Sequence, residues 1–180
     1  DTISAGLTIS FLMECFSKGL IDASHTDGLP LEFGNDKALI QCLKKIVARE
    51  GAGELWGEGI KTLAEKIPGS SGFAMQVKGL EMPAYDPRGN YGMGLAYATS
   101  ERGACHLRAF PILTQDPFKM KDLAREVIDG QNVNAVKWSM CFCDFWGTMD
   151  TDIMADLLSV GLGREVTSEE LILAGERIWN

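Results

Sequence analysis

Two thiols stand one residue apart at Cys141-x-Cys143, inside the apolar run KWSMCFCDFWGTM. A thiolate among aromatic residues (Trp138, Phe142, Phe145, Trp146) suits an iron–sulfur cluster, because a dry shell tunes the cluster potential. One Cys-x-Cys cannot complete a four-thiolate site, and two buried structural thiols are the commoner use of such a pair. His106 is a second candidate. It follows a glycine break and stands near arginines, where an imidazole can donate a proton close to neutral pH. A lone His is more often a packing residue. The cations Lys78, Arg88, Arg102 and Arg108 are a third candidate, since guanidinium forks bind phosphate or carboxylate bidentately. A solvated basic face is the equal alternative. Asp1, taken alone, carries no signal.

His106 and the four cations fall in one stretch. Phe73 to Pro111, FAMQVKGLEMPAYDPRGNYGMGLAYATSERGACHLRAFP, packs glycines, a Pro-Arg turn and His106 into about a fifth of the chain. Such a density of permissive backbone implies sharp bends or close approach. It reads as a loop, a helix and a loop around a bound cofactor, with the remaining helices as support.

The elements around it follow from periodicity. Residues 2–19 form a helix capped by Thr2 or Ser4 and stopped at Gly19. The polar stretch with His25 is a loop, and that His is solvated. Asn35 or Asp36 caps a second helix with Leu39, Ile40, Leu43, Ile46 and Val47 inward and Cys42 in the core, and Glu50-Gly51 ends it. A third helix spans 53–66 with Leu55, Ile60, Leu63 and Ile67 inward. Residues 73–78 alternate enough for a short strand. Asp86-Pro87-Arg88-Gly89 is a turn in which Pro sets φ and Gly permits a positive φ. A small-residue helix covers 91–100, and Gly103 breaks it. Further helices cover 120–135 (Leu123, Val127 and Ile128 inward), 151–160 and 168–180. Thr167 and Glu170 make a capping box for the last. The fold class is mainly α, multi-helical, with at most a few short strands.

Composition sets outer limits. The 180 residues allow one domain with a proper core, and the 46% hydrophobic and 23% charged content is that of a soluble globular protein. A net charge of −8 argues against nucleic acid as a partner. No apolar run reaches membrane-spanning length, and the first residues lack a basic leader. Five cysteines without framework spacing fit a reducing cytoplasm. Two histidines cannot build a His-rich metal site. Asp1 at the start and the uncapped helix at the end suggest a piece of a longer protein.

VKGLEMPAYDPRG followed by GLAYATSERGACHLR resembles the aldehyde ferredoxin oxidoreductase family, which carries tungsten on two pterin cofactors. Asp1-Thr2-Ile3-Ser4 resembles the end of that family's pterin motif D-x-x-G-L-D, with Asp1 as its last residue. HTDGLPLEFGND, AREGAGELWGEG and the tail TSEELILAGERIWN are similar to its later helices. The resemblance implies residues 1–115 as a helical second domain and 116–180 as part of the third. The β-rich pterin base and a C-x-x-C-x-x-x-C motif lie outside this chain, so alone it should hold neither cofactor properly.

Carried over residue by residue, the resemblance makes Cys143 the fourth ligand of a 4Fe-4S cluster, in the pattern D-x-L-G-x-C. Asp1 and Phe142 would line the pterin, and Arg108 would contact pterin or its phosphate. His106 would sit beside the tungsten (or molybdenum) and act on the substrate oxygen. Arg88 and Lys78 are further contacts. Trp138 stands where the motif has its pterin-binding Asp, and Cys141 where it has Gly. The implied activity is aldehyde oxidation to a carboxylic acid, with ferredoxin or an iron–sulfur subunit as electron acceptor, in anaerobic metabolism. A small aldehyde is the implied substrate, and a homo-oligomer is compatible. Two alternatives stay open: a related tungsten-pterin reductase of benzoyl-CoA-type thioesters, and a cofactor-free helical interaction module. The face left by the missing domain should expose apolar area around Tyr91, Phe110 and Trp146.

Overall fold

The computed structural model describes residues 1–111, 116–145 and 150–180. Among these, eight α-helices and one two-stranded antiparallel ribbon bear out the mainly α expectation. The chain divides into two compact units: 1–84 with 101–104, and 85–100 with 105–180.

The first unit holds α1 (Thr2–Ser17), α2 (Asp36–Ala48), α3 (Ala52–Trp56), α4 (Ile60–Lys66), β1 (Gln76–Val77) and β2 (Leu80–Glu81). Its core gathers Ile9, Phe11, Leu12 and Cys15 of α1 with Cys42, Trp56, Ile60 and Leu63. Cys42 is fully buried, as expected. The cap of α1 is Asp1, whose Oδ1 accepts the Ser4 N–H at 2.8 Å, and not Thr2 or Ser4. A carboxylate outside the first turn reaches that donor better than a hydroxyl within it. Gly19 does supply the left-handed stop, with φ 69°. His25 is exposed, and its Nδ1 lies 2.8 Å from Asp22 Oδ1.

Asn35 caps α2 through the Ala38 N–H, but the buried face is Ala38 and Cys42. Leu39, Ile40 and Val47 are exposed, Val47 at 84%, contrary to the expected inner face. Leu43 and Ile46 do pack against the core, as expected, so the inward stripe runs through Ala38, Cys42, Leu43 and Ile46. The expected third helix is two helices, broken at Gly57-Glu58-Gly59. Gly59 adopts φ 86°, and the Glu81 carboxylate reaches back to accept the Ile60 N–H at 2.8 Å. Asp27 similarly accepts the Ala52 N–H at 2.9 Å and pairs with Lys45 at 2.8 Å. The expected strand is half of the β1–β2 ribbon, in register Gln76↔Glu81 and Val77↔Leu80. Gly103, at φ 101°, lies so close to this ribbon that a Cβ would strike the Val77 carbonyl.

The second unit holds α5 (Tyr91–Thr99), α6 (Leu123–Ser139), α7 (Thr151–Leu162) and α8 (Ser168–Trp179). Asn90 caps α5 through the Met93 N–H at 2.9 Å. Val136 of α6, Met154 and Ala155 of α7 and Leu171 of α8 form one core, with Val166. A Cβ at Gly175 would strike the Asn132 carbonyl, so α6 and α8 touch backbone to backbone. In α6, Val127 is buried but Ile128 is 43% exposed, so it is not an inward residue. The capping box of α8 is half formed. Thr167 Oγ1 accepts the Glu170 N–H at 3.2 Å, while the Glu170 carboxylate pairs with Arg164 at 2.7 Å instead of closing back on residue 167.

Candidate functional site

The loop carrying His106 and Arg108 is pinned from below. Cys105 and Ala109, on either side, are buried. From α6, Asn134 Nδ2 donates to the carbonyls of Leu107 at 2.9 Å and Arg108 at 3.3 Å. His106 itself is half-buried in an aromatic nest. Its ring lies 5.5 Å from Tyr85 and 6.1 Å from Phe110, and those two pack edge to face at 5.3 Å. The Tyr97 hydroxyl of α5 donates to the Tyr85 carbonyl at 3.1 Å. Burial pushes the Tyr97 hydroxyl pKa up, so this donor stays protonated.

Arg108 lies with its guanidinium carbon 4.3 Å from the centre of the Trp138 ring. The Trp138 indole Nε1 in turn donates to Asp144 Oδ1 at 2.7 Å, and Lys137 Nζ reaches the same oxygen at 2.8 Å. The 106–108 loop and the 141–145 turn thus meet the same end of α6. Phe142 is half-buried against the core of that helix, α7 and α8.

Cys141 and Cys143 are both exposed, which corrects the reading of two buried structural thiols. Cys141 ends α6. Its N–H bonds the Trp138 carbonyl at 2.9 Å and the Phe142 N–H bonds the Lys137 carbonyl at 3.1 Å, with Cys141 at φ 61°. That is a Schellman turn, whose left-handed position usually holds Gly. In this chain a Cys holds that position, a helix-stop role that the spacing alone did not reveal.

The remaining candidates lie elsewhere. Asp86-Pro87-Arg88-Gly89 is a turn, closed by the Gly89 N–H on the Asp86 carbonyl at 2.9 Å. Arg88, the third residue of the turn, has no positive φ, so the turn is type I and not type II, and the left-handed freedom expected of Gly89 is not used. Arg88 clasps Asp86 with Nε at 3.0 Å and Nη2 at 2.6 Å. That clasp, with the Arg88 N–H, holds the Asp86 carboxyl below its ordinary value. One edge of the guanidinium, Nε with Nη2, is therefore committed within the turn. Asp1 belongs to the first unit, where it lines a polar cleft of about 220 Å³ with Ser4, Glu58, Gly59 and Glu81. Lys78 has φ 55° in the β1–β2 turn. Trp146 lies outside the described residues. Tyr85, Asn134 and Asp144 support the candidate residues without having been singled out in the sequence, and only their contacts disclose them.

A second cleft, of about 520 Å³, opens beside the His106 loop in the second unit. Ala109, Phe110, Pro111 and Val133 give it apolar walls, with Asn134, Glu126 and Asp129 polar. Its size is that of a small organic ligand. Glu126 pairs with Lys119, and Asp129 with Arg125 at 3.0 Å. Among the described residues no three His, Cys, Asp or Glu side chains gather as a metal site.

The chain is 40% identical to the tungsten-containing aldehyde ferredoxin oxidoreductase of Pyrococcus furiosus, covering 100% of the chain and 31% of that protein. The protein of the same name from Pyrococcus horikoshii is also 40% identical, with 100% and 32% covered. The chain thus spans about a third of these relatives. Among solved structures, the active site complex of benzoyl coenzyme A reductase with a dienoyl-CoA superposes at a TM-score of 0.76 and 20% identity, over 99% of the chain and 34% of that one. At that identity the likeness is one of fold. The family model described as aldehyde ferredoxin oxidoreductase, domains 2 & 3, matches residues 1–180. The chain belongs to the aldehyde ferredoxin oxidoreductase family, in the part that makes up its domains 2 and 3.

Proposed function

We propose that this chain is the helical part of a tungsten-pterin, iron–sulfur oxidoreductase that oxidises small aldehydes to carboxylic acids and passes electrons to a ferredoxin-like acceptor. The observation that supports it best is the joining of the 106–108 loop to α6, through Asn134 and the Arg108–Trp138 stack, at the end from which Cys143 projects. In this reading residues 1–115 are the second domain and 116–180 the third.

Cys143 Sγ is the chain's cluster ligand, and Phe142 and Asp1 line the pterin. The group, when bound, supplies the oxygen-transfer and two-electron chemistry that turns aldehyde and water into acid. The protein's own part is positioning and proton handling. An imidazole nitrogen of His106 holds a proton toward the substrate oxygen. The nest of Tyr85 and Phe110 limits water around that ring, which strengthens its hydrogen bond. Arg108, fixed over Trp138, presents positive charge to pterin or phosphate at low entropic cost. Arg88 arrives already paired with Asp86, so its contact is a weaker one.

The test is the full-length protein, purified without oxygen and supplied with tungstate and iron. Bound tungsten and iron with viologen-linked oxidation of acetaldehyde or benzaldehyde is the expected result, and His106→Asn should lower kcat about 100-fold or more. A metal-loaded protein that reduces benzoyl-CoA and leaves aldehydes untouched would transfer the reading to thioester reduction. A full-length protein that takes up neither metal would leave the interaction-module reading.

A further inference from the structure

Cys143 is an exposed side chain between two anchored neighbours. On one side Phe142 is packed on the core of α6, α7 and α8. On the other, Asp144 is tied back to α6 twice. Its Oδ1 accepts the indole N–H of Trp138 at 2.7 Å and the ammonium of Lys137 at 2.8 Å. The side chains of Lys137 and Asp144 are only 14% and 26% exposed, so water screens this pair less than an open surface pair. The indole is restrained, because Arg108 covers its face at 4.3 Å and Asn134, one turn earlier on α6, holds the loop that carries Arg108. A ligand thiol positioned this way has a fixed backbone and a free head, which is what a metal-binding turn requires.

The placement also gives Trp138 a role. Its indole N–H is the donor that the Asp144 carboxylate, six residues later and across the turn, accepts.

We infer that Asp144 is a positioning residue for the Cys143 thiol, acting through its double tie to Lys137 and Trp138. The inference rests on Cys143 being a cluster ligand, as proposed above. Replacing Asp144 by Ala frees the turn, and Cys143 then loses its preset geometry. Asp144→Asn keeps an oxygen for the indole N–H and loses the charge for Lys137, so it should fall between.

Two measurements on the full-length protein decide it. In metal-free protein, amide hydrogen exchange over residues 140–145 should quicken about fivefold in Asp144→Ala, with the amides of α8 unchanged. In loaded protein, iron release to a ferrous chelator should quicken by a similar factor of about five, and the electron paramagnetic resonance signal of the reduced cluster should shift. Asn should restore part of each. Unchanged exchange, or faster exchange with unaltered iron release and cluster signal, overturns the inference. Should Asp144→Ala fail to fold, Trp138→Phe deletes only the indole donor and keeps a ring for Arg108. The same two measurements then apply with the same expected direction. A wild-type protein without iron defeats the cluster assignment of Cys143, while the exchange contrast still shows whether Asp144 holds the turn.

Discussion

The backbone of Cys141 lies at φ 61° because the turn that ends α6 needs a left-handed residue there. For a residue with a Cβ that conformation costs about 1 kcal/mol relative to Gly. Cys141→Gly should therefore stabilise the protein by about 1 kcal/mol, seen as a raised thermal midpoint. A lowered midpoint would mean that the Cys141 side chain contributes more than its strain costs. The buried thiols behave differently. Desolvation pushes Cys15 and Cys42 up to about 11 from an ordinary 9.0. In the unfolded chain these thiols ionise first, so their contribution to stability is whole below pH 9 and is lost as pH rises toward about 11. Urea midpoints followed from pH 8 to 11 should fall. A Cys15→Ala, Cys42→Ala double variant, less stable at pH 8, should fall less steeply. Parallel slopes for the two proteins would reject this assignment.

At the scale of elements, helix starts are secured in two ways, and only one of them is readable along the sequence. Asn35, Asn90, Asp150 and Thr167 accept from an amide three residues on, and such caps follow from residue type and spacing. Asp27 and Glu81 cap α3 and α4 from 25 and 21 residues away, and no local pattern announces that. The single helix expected over 53–66 failed for the same reason. Its break at Gly59 is held open by a carboxylate from the β1–β2 ribbon. Glu81→Ala should cost about 1–2 kcal/mol, and Glu81→Gln distinctly less, by chemical denaturation. Equal losses would show that charge, and not the accepted N–H, is what matters. Packing sets the second limit. Gly175 reads as an ordinary helical glycine, yet a Cβ there meets the Asn132 carbonyl. Gly175→Ala should lower stability by about 2–4 kcal/mol, because α6 and α8 must move apart. A loss below about 0.5 kcal/mol would mean the pair shifts freely.

For the whole molecule, the sequence discloses the fold class and the 106–108 and 141–143 residues, whereas their supports come from packing. Tyr85, Asn134 and Asp144 join the site only after α5 and α6 are in place. Which apolar residues stay outside is equally a product of packing. Tyr91 and Phe110 are exposed, as expected of them. The clearest open stripe lies elsewhere, at Ile153, Leu157 and Val160 on successive turns of α7, with Val160 85% exposed. The 180-residue chain should bind a hydrophobic dye, and Leu157→Glu with Val160→Glu should abolish most of that binding with little change in thermal midpoint. Dye binding that survives both substitutions would place the sticky surface on another face. No helix among the described residues is long and apolar enough to cross a membrane.

The carboxylate that closes the start of α4 has a further consequence for how the polypeptide is made. Translation delivers Ile60 to Lys66 well before Glu81, so the first turn of that helix emerges with an amide facing water and waits for the ribbon. A nascent chain halted before the Glu81 codon should leave this segment frayed and open to protease, and one extended past it by an exit tunnel's length should not.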